Sequence, residues 1–379
     1  SFAARYRLGE NTLVPHGPPP TVASGFSPRE PRQHREMRGW SNAARVRTAA
    51  SVEDDDHCGE VASMARASHA PGIRTTLCIA SPAAPRPAAA DAFWDHWGDG
   101  KAELSGYALT QPRYGQPREG TAVTIFVTED MSDSARVKAD PGRHPPADVH
   151  PVLKLNFVRD FQTGIYDYNV MTSIFARADD GPAMPLMKTS FSSQEWCGHV
   201  YQQWLPRGGR LSGTLHSYFD GEADATPELP FPDGGIFEDA IPILIRNLRG
   251  EWLRPGEART VPFLPSSLRA RLEHKPQAWS EAVVRRAAKA EPVASALGRL
   301  SAFTVTVEEK GGPAVTWTIE DASPHRILAW RSTTGEAGTI LGSTRLAYWQ
   351  LNGRGGEGYL RQIGIVPLPV PNNPAPKAK

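Results

Sequence analysis

Cys197, His199 and His216 are the residues of this chain whose types and spacing could do chemistry. They lie in SSQEWCGHVYQQWLPRGGRLSGTLHSYFD, which runs from Ser192 to Asp220. A thiol two residues before an imidazole admits a nucleophilic reading, in which the imidazole holds a thiolate ready for attack. On an extended strand, however, side chains at i and i+2 point in parallel with Cβ atoms about 7 Å apart. That is a poor distance for sharing a proton, and no helix N-terminus is expected at the thiol. Metal binding fits the spacing better. Alternate residues of one strand and one from its neighbour can converge on an ion, so Cys197, His199 and His216 would offer zinc one sulfur and two nitrogens, with Glu195 or Asp220 nearby. No CxxC or HExxH spacing reinforces this reading. The alternative without chemistry is a polar sheet face whose histidines bond to Tyr201 and Tyr218.

Two strands joined at LPRGGR must position these residues. Parity places Trp196, Val200 and Trp204 on one face with Gly198 and Gln202, and Glu195, Cys197, His199, Tyr201 and Gln203 on the other. In the second strand Leu211, Leu215 and Phe219 alternate with Ser212, Thr214, His216, Tyr218 and Asp220. A symmetric register sets His199 opposite His216, Cys197 opposite Tyr218, Glu195 opposite Asp220 and Trp196 opposite Phe219. All apolar residues then share one side; an odd slip would mix the faces.

The hairpin belongs to a longer β pattern. Segments 101–111, 121–129, 151–158, 163–176, 187–204 and 211–220 are rich in Val, Ile, Phe and Thr and are separated by Gly and Pro turns. With 34 glycines and 35 prolines in 379 residues, turns and short strands are favoured over long helices. FWDHWGDGKAE reads as a tryptophan-anchored first strand. FEDAIPILIRNLRG (237–250) reads as an amphipathic helix with Ile241, Leu244, Ile245 and Leu248 on one face and Gly250 as its stop. Strand patterns return at 259–264, 267–274, 302–309, 314–321, 326–332, 339–351 and 358–365, and AWSEAVVRRAAKAEPVASALG (278–298) is ambiguous, compatible with a short helix ending near Pro292. The expected architecture is mainly β: antiparallel strands in a curved sheet or half-open barrel, with one amphipathic helix between two β-rich halves. The halves are placed at 91–250 and 251–366.

Residues 1–90 have a different texture, with eleven arginines, no lysine and few large aliphatics. Such a segment buries too little apolar surface to offset its ordering entropy and reads as disordered or as a non-native extension. Its acidic run Glu53–Asp56 followed by His57 and Cys58 reads as a solvated cluster. The proline-rich tail 367–379 also reads as disordered. Cys58, Cys78 and Cys197 are too few for a disulfide framework. The net charge of +1 gives no basic field for nucleic acid. No apolar run is long enough for a transmembrane helix. Gly72–Asp91 faintly resembles a secretory signal. Dinucleotide, P-loop and GxSxG motifs are absent, and NGRGGEG (352–358) reads as a turn.

Four stretches carry a family resemblance: FWDHWGDGKAELSGYALTQPRYGQPREGTAVTIFVTED, VLKLNFVRDFQTGIYDYNVMTSIFA, SSQEWCGHVYQQW and FEDAIPILIRNL. They resemble an uncharacterised family of bacterial envelope proteins, some of whose members carry a septum-formation-inhibitor label. The nucleotide pyrophosphatases that bear this label by right have an α/β fold, and their motifs are absent. The resemblance covers roughly Phe93 to Leu248. It implies export to the periplasm or cell envelope and a β-rich fold, and it carries over no catalytic residue. The expected function is therefore non-enzymatic: a hydrophobic or lipid-like ligand held on a concave sheet face lined by Trp196, Trp204, Phe219, Trp317, Trp330 and Trp349. The alternatives are a zinc-dependent hydrolase using Cys197, His199 and His216, and a structural or partner-binding module.

Overall fold

The computed structural model describes residues 91–367, apart from Asp180 and Ala223. The expectations for residues 1–90, with the Glu53–Asp56 run, Cys58 and Cys78, and for the tail beyond 367 lie outside the described residues. The tryptophan-rich start is not a strand. It forms α1 (Ala92–Trp97), capped by Asp91, whose Oδ1 accepts from the Phe93 N–H at 3.1 Å. Phe93 and Trp97 fall on its buried side.

A meander follows, comprising β1 (Ala102–Arg113), β2 (Gln116–Ser132), β3 (Val149–Thr163), β4 (Tyr166–Arg177), β5 (Leu186–Glu195), β6 (Gly198–Arg207) and β7 (Arg210–Ser217). Each pairs antiparallel with the next, and the short β8 (Glu228–Pro230) adds to β7. The chain then supplies β9 (Ile236–Phe237), α2 (Ile241–Leu244), β10 (Ala258–Leu264) and α3 (Ser267–Glu273). It continues through β11 (Ser280–Arg286), β12 (Glu291–Ser295), β13 (Gly298–Glu309), β14 (Ala314–Glu320), β15 (Ile327–Ser332) and β16 (Ala337–Leu346). The last of these pairs with β1, so both halves share one 16-stranded sheet with a single parallel pair, β9 with β10. Period-two patterning decides its faces. In β3, Leu153, Leu155, Phe157, Arg159 and Phe161 point inward while Lys154, Asn156, Val158 and Asp160 are more open.

β8 and β9 end the sheet on opposite sides, yet only residues 231–235 separate them in sequence. The sheet must therefore curve until its ends approach. Trp279 Nε1 donates to the Pro230 carbonyl at 2.7 Å, and the Phe231 ring lies 5.8 Å from Trp279 and 6.1 Å from Phe237. No ladder joins β8 to β9 among the described residues, so the sheet is curved and unclosed, as the strand count suggests.

Several local expectations are corrected. Residues 237–250 do not form an amphipathic helix. A 3-10 turn (Glu238–Ala240) leads into the single helical turn of α2, and the chain then leaves helical geometry. Arg246 and Asn247 are buried while Leu244 and Leu248 of the expected apolar stripe are half-buried, so no polar face meets solvent to define a helical stripe. Residues 267–274 form α3 instead of a strand. Ser266 Oγ accepts from the Arg269 N–H at 3.0 Å, and His274 ends the helix in a left-handed conformation. The ambiguous stretch around Pro292 is the β11–β12 region, and 358–365 lies largely in a 3-10 helix (Gly356–Ile363) bounded by left-handed Gly355 and Gly364.

The inward segment is fastened by an ion pair. Arg246 and Glu103 are 1% and 2% exposed, with Nη1 2.6 Å from Oε1. The guanidinium also donates to the carbonyls of His325 (3.0 Å) and Pro324 (3.1 Å), and its Cζ lies 4.5 Å from the Phe126 ring centroid. Burial alone would raise the Glu103 carboxyl. The charge of Arg246 and hydrogen bonds from His96 and Arg246 outweigh it and hold the group at about 2. Arg246→Met leaves a buried carboxylate without its main partner, and urea unfolding is expected to show a loss of about 3–5 kcal/mol. In the parent chain Glu103 contributes stability fully above pH 4.5, and that contribution fades as pH falls toward 2. Glu103→Gln is expected to remove this part of the acid limb in unfolding followed between pH 5 and pH 2.

Candidate functional site

The Cys197 hairpin keeps its two faces and changes its register. Gly208 and Gly209 occupy a two-residue turn with φ of +52° and +74°, which suits the type I′ geometry that glycine admits readily. That turn pairs Arg207 with Arg210 and Tyr201 with His216, two residues away from the symmetric expectation. Val200, Gln202 and Trp204 point inward, and His199 and Tyr201 point outward, as parity requires. Trp196 and Cys197 are not strand residues. They form the two-residue turn between Glu195 and Gly198, which leaves Trp196 69% exposed and turns Glu195 to the interior, where it pairs with Arg271. The Tyr218 ring covers Gly198, where any Cβ would meet it at 2.5 Å.

Zinc chemistry finds no support in this arrangement. Cys197 is an exposed free thiol at the hairpin tip. His199 pairs across the ladder with Gln194, and His216 is held on the outside by Asp224, Nδ1 to Oδ1 2.8 Å. Among the described residues no group of three or more His, Cys, Asp and Glu could hold a metal ion.

The chemistry lies on the other face. A cavity of about 200 Å³ opens inside the curve of the sheet, between the inner residues of β1, β3, β4, β14 and β15 and the covering α3. Phe157, Trp317 and Trp330 provide aromatic walls. Trp317 and Trp330 are cross-strand partners with centroids 5.7 Å apart, and Phe157 meets Trp330 edge-on at 5.2 Å. Gly338 on β16 makes room for the Trp330 indole: a Cβ there would lie 2.1 Å from the ring. Trp330 is fixed further by donating from Nε1 to Glu336 Oε1 at 3.0 Å.

Polar groups converge on the same space. Arg159 follows Phe157 on the inner face of β3, with its Cζ 3.7 Å from the Phe157 centroid. Thr172 stands opposite Phe157 in the β3–β4 ladder. Glu238 and Asp239 come from the turn before α2, where they hold the start of α3. Ser266 N–H donates to Glu238 Oε2 at 2.8 Å and Ser267 N–H donates to Asp239 Oδ2 at 3.0 Å. Arg269 of α3 lies 3.4 Å from Glu238 Oε2 and 2.5 Å from Glu309 Oε2. Burial pushes the Glu238 carboxyl up to about 7, with Arg269 and the Ser266 N–H opposing the shift. Burial also raises Asp239, against the Ser267 N–H and the charge of Arg159. Exposed Glu273 and Thr334 line the same cavity on its solvent side.

Other cavities lie elsewhere among the described residues. One, of about 220 Å³, lies under the 244–253 segment, where Arg286 already donates to Glu251 and the Leu253 carbonyl. Another, about 310 Å³, is lined by Ala and Thr residues together with exposed Lys289, Glu291 and Arg331. The 200 Å³ cavity differs in combining three buried aromatic rings with the buried guanidinium of Arg159 and the half-buried carboxyls of Glu238 and Asp239.

Trp317 and Trp330 are expected on the concave face and are found there. Trp196 and Trp349 are not: the first sits in a turn and the second in a 3-10 turn, 38% exposed. Arg159, Glu238 and Asp239 are missed by motif reasoning. One signal was available, since Arg159 occupies the apolar phase of β3 between Phe157 and Phe161. Comparison of the chain with family models, curated proteins and solved structures returns no match.

The raised Glu238 makes a pH signature. The unfolded chain sheds this proton near pH 4.5 and the folded chain near 7, so stability falls as pH rises through that window. Glu238→Gln cannot ionise. Thermal unfolding at pH 5 and pH 8 is expected to show a smaller drop for this variant than for the parent, with Asp239 supplying the remainder.

Proposed function

We propose that this protein is a non-enzymatic binding protein that holds a small organic molecule in the cavity between the sheet and α3. The observation that carries this reading is the convergence of three buried aromatic rings with buried polar side chains around one opening. Such a lining is costly to an empty fold, because buried polar atoms need partners. The volume sets the scale of the occupant. About 200 Å³ is below the ~300–1,000 Å³ common for drug-sized ligands. Its charged lining also suits an extended acyl chain poorly. The lipid-like ligand expected from the sequence is therefore narrowed to a compact molecule with one apolar or aromatic face. Trp317, Trp330 and Phe157 would hold that face, while α3 covers it.

The test is a thermal-shift screen of the full chain against small organic molecules. A ligand that binds only the folded state, at about 100 times its Kd, stabilises by about 2.7 kcal/mol. Val315 also lines the cavity, and Val315→Phe adds a ring there. Compounds that raise the midpoint of the parent are expected to leave this variant unchanged. Equal shifts in both proteins, or no shift with any compound, count against the cavity as the binding site.

A further inference from the structure

The cavity holds more hydrogen-bond donors than the fold uses. Arg159 is 8% exposed, and its Nε and Nη1 are both buried without a hydrogen-bond partner. Among the described residues it is the one guanidinium with two such nitrogens. The nearest recorded carboxylate oxygen is Glu336 Oε1, 3.6 Å from Nε, which is an ion-pair distance and too long for a hydrogen bond. That oxygen already accepts from Trp330 Nε1. Trp317 Nε1 and Thr172 Oγ1 are likewise buried, unpartnered and in the lining. The acceptors show the opposite state: Glu238 takes the Ser266 N–H, Asp239 the Ser267 N–H and Glu336 the Trp330 N–H. Gln111 Oε1 is the exception, an unpartnered acceptor on an amide whose orientation can be reversed.

A surplus of buried donors beside spent acceptors is a site for an anion. The lining already contains four carboxyl groups, those of Glu238, Asp239, Glu273 and Glu336, so a doubly charged guest would meet strong repulsion. A single delocalised charge suits one guanidinium and two neutral donors. We propose that the ligand of this cavity is a small monocarboxylate with an apolar or aromatic body. Arg159, Trp317 Nε1 and Thr172 bind its carboxylate, and Trp330 and Phe157 face the body. The proposal rests on the cavity reading above and gives it a ligand class. Burial raises the Glu238 carboxyl to about 7 and moves Asp239 in the same direction.

The test compares matched probes on the full chain by calorimetry and tryptophan fluorescence: benzoate with benzyl alcohol, hexanoate with hexanol, and inorganic phosphate alone. In the parent chain at least one acid is expected to bind tenfold or more tightly than its alcohol, since charged hydrogen bonds are among the stronger ones. In Arg159→Gln that preference is expected to collapse, while affinity for the alcohol changes less than threefold. The comparison within the parent needs no variant to fold, and Arg159→Lys supplies a charged control in which part of the preference survives. Alcohols that bind as well as the acids overturn the carboxylate assignment and leave the cavity reading standing. Phosphate bound in preference to both acids also overturns it. A screen in which no small molecule stabilises the parent overturns both readings.

Discussion

The Glu103–Arg246 ion pair is the contact on which the arrangement of the interior depends. A sheet of this length, curved until its ends approach, encloses more space than the side chains of its concave face fill. The chain returns through that space as the segment from Glu238 to Asn247. Arg246 anchors the segment to β1, next to the β1–β16 seam where the halves of the sheet join, and to the carbonyls of the β14–β15 loop. Two charges buried this deeply are tolerated because each meets the other, and because carbonyls and aromatic faces satisfy the remaining guanidinium directions. The same segment begins with Glu238 and Asp239, which hold the N-terminus of α3. Position is thus passed from the ion pair to α2, then to α3, and then to one wall of the cavity.

The interior treats its arginines in two ways. Arg246 and Arg271 are matched to buried carboxylates, Glu103 and Glu195, and act as fasteners. Arg159 stacks on Phe157 and stands 3.6 Å from Glu336 with two buried N–H groups unspent. An unsatisfied buried guanidinium is costly, and a fold that keeps one beside an opening gains from it only when something else supplies the acceptors. This contrast separates the structural charges from those that face the cavity. It also explains why the exposed histidines and Cys197, which look more chemical in the sequence, have the weaker claim: they point into water and already have partners or no convergence.

Much of the sheet was legible in advance because period-two alternation is a local property. The alternation of β2, β3, β6 and β14 can be read from a few residues each, and so can the two faces of the Cys197 hairpin. Where the reading failed, a longer-range demand had overridden a local pattern. Ile241, Leu244, Ile245 and Leu248 have helical spacing, but Arg246 and Asn247 between them are buried, and Arg246 turns inward to Glu103. SLRARLEH alternates like a strand, yet Ser266 and the two acids of a distant turn cap it into α3. The hairpin register depended on which two residues adopted positive φ, and Gly208–Gly209 took that place.

By itself the sequence determined the mainly β class, the inward and outward faces of most strands, the curved unclosed sheet and the absence of a long apolar helix among the described residues. These follow from side-chain period and composition, which act over a few neighbours. Tertiary structure alone decided that residues far apart in the chain, Arg159, Thr172, Glu238 and Trp317, surround one cavity. It also decided which arginine finds a carboxylate and which does not. Curvature, end-to-end approach and the return of the chain through the interior create those neighbours, and none of the three is encoded in any single segment.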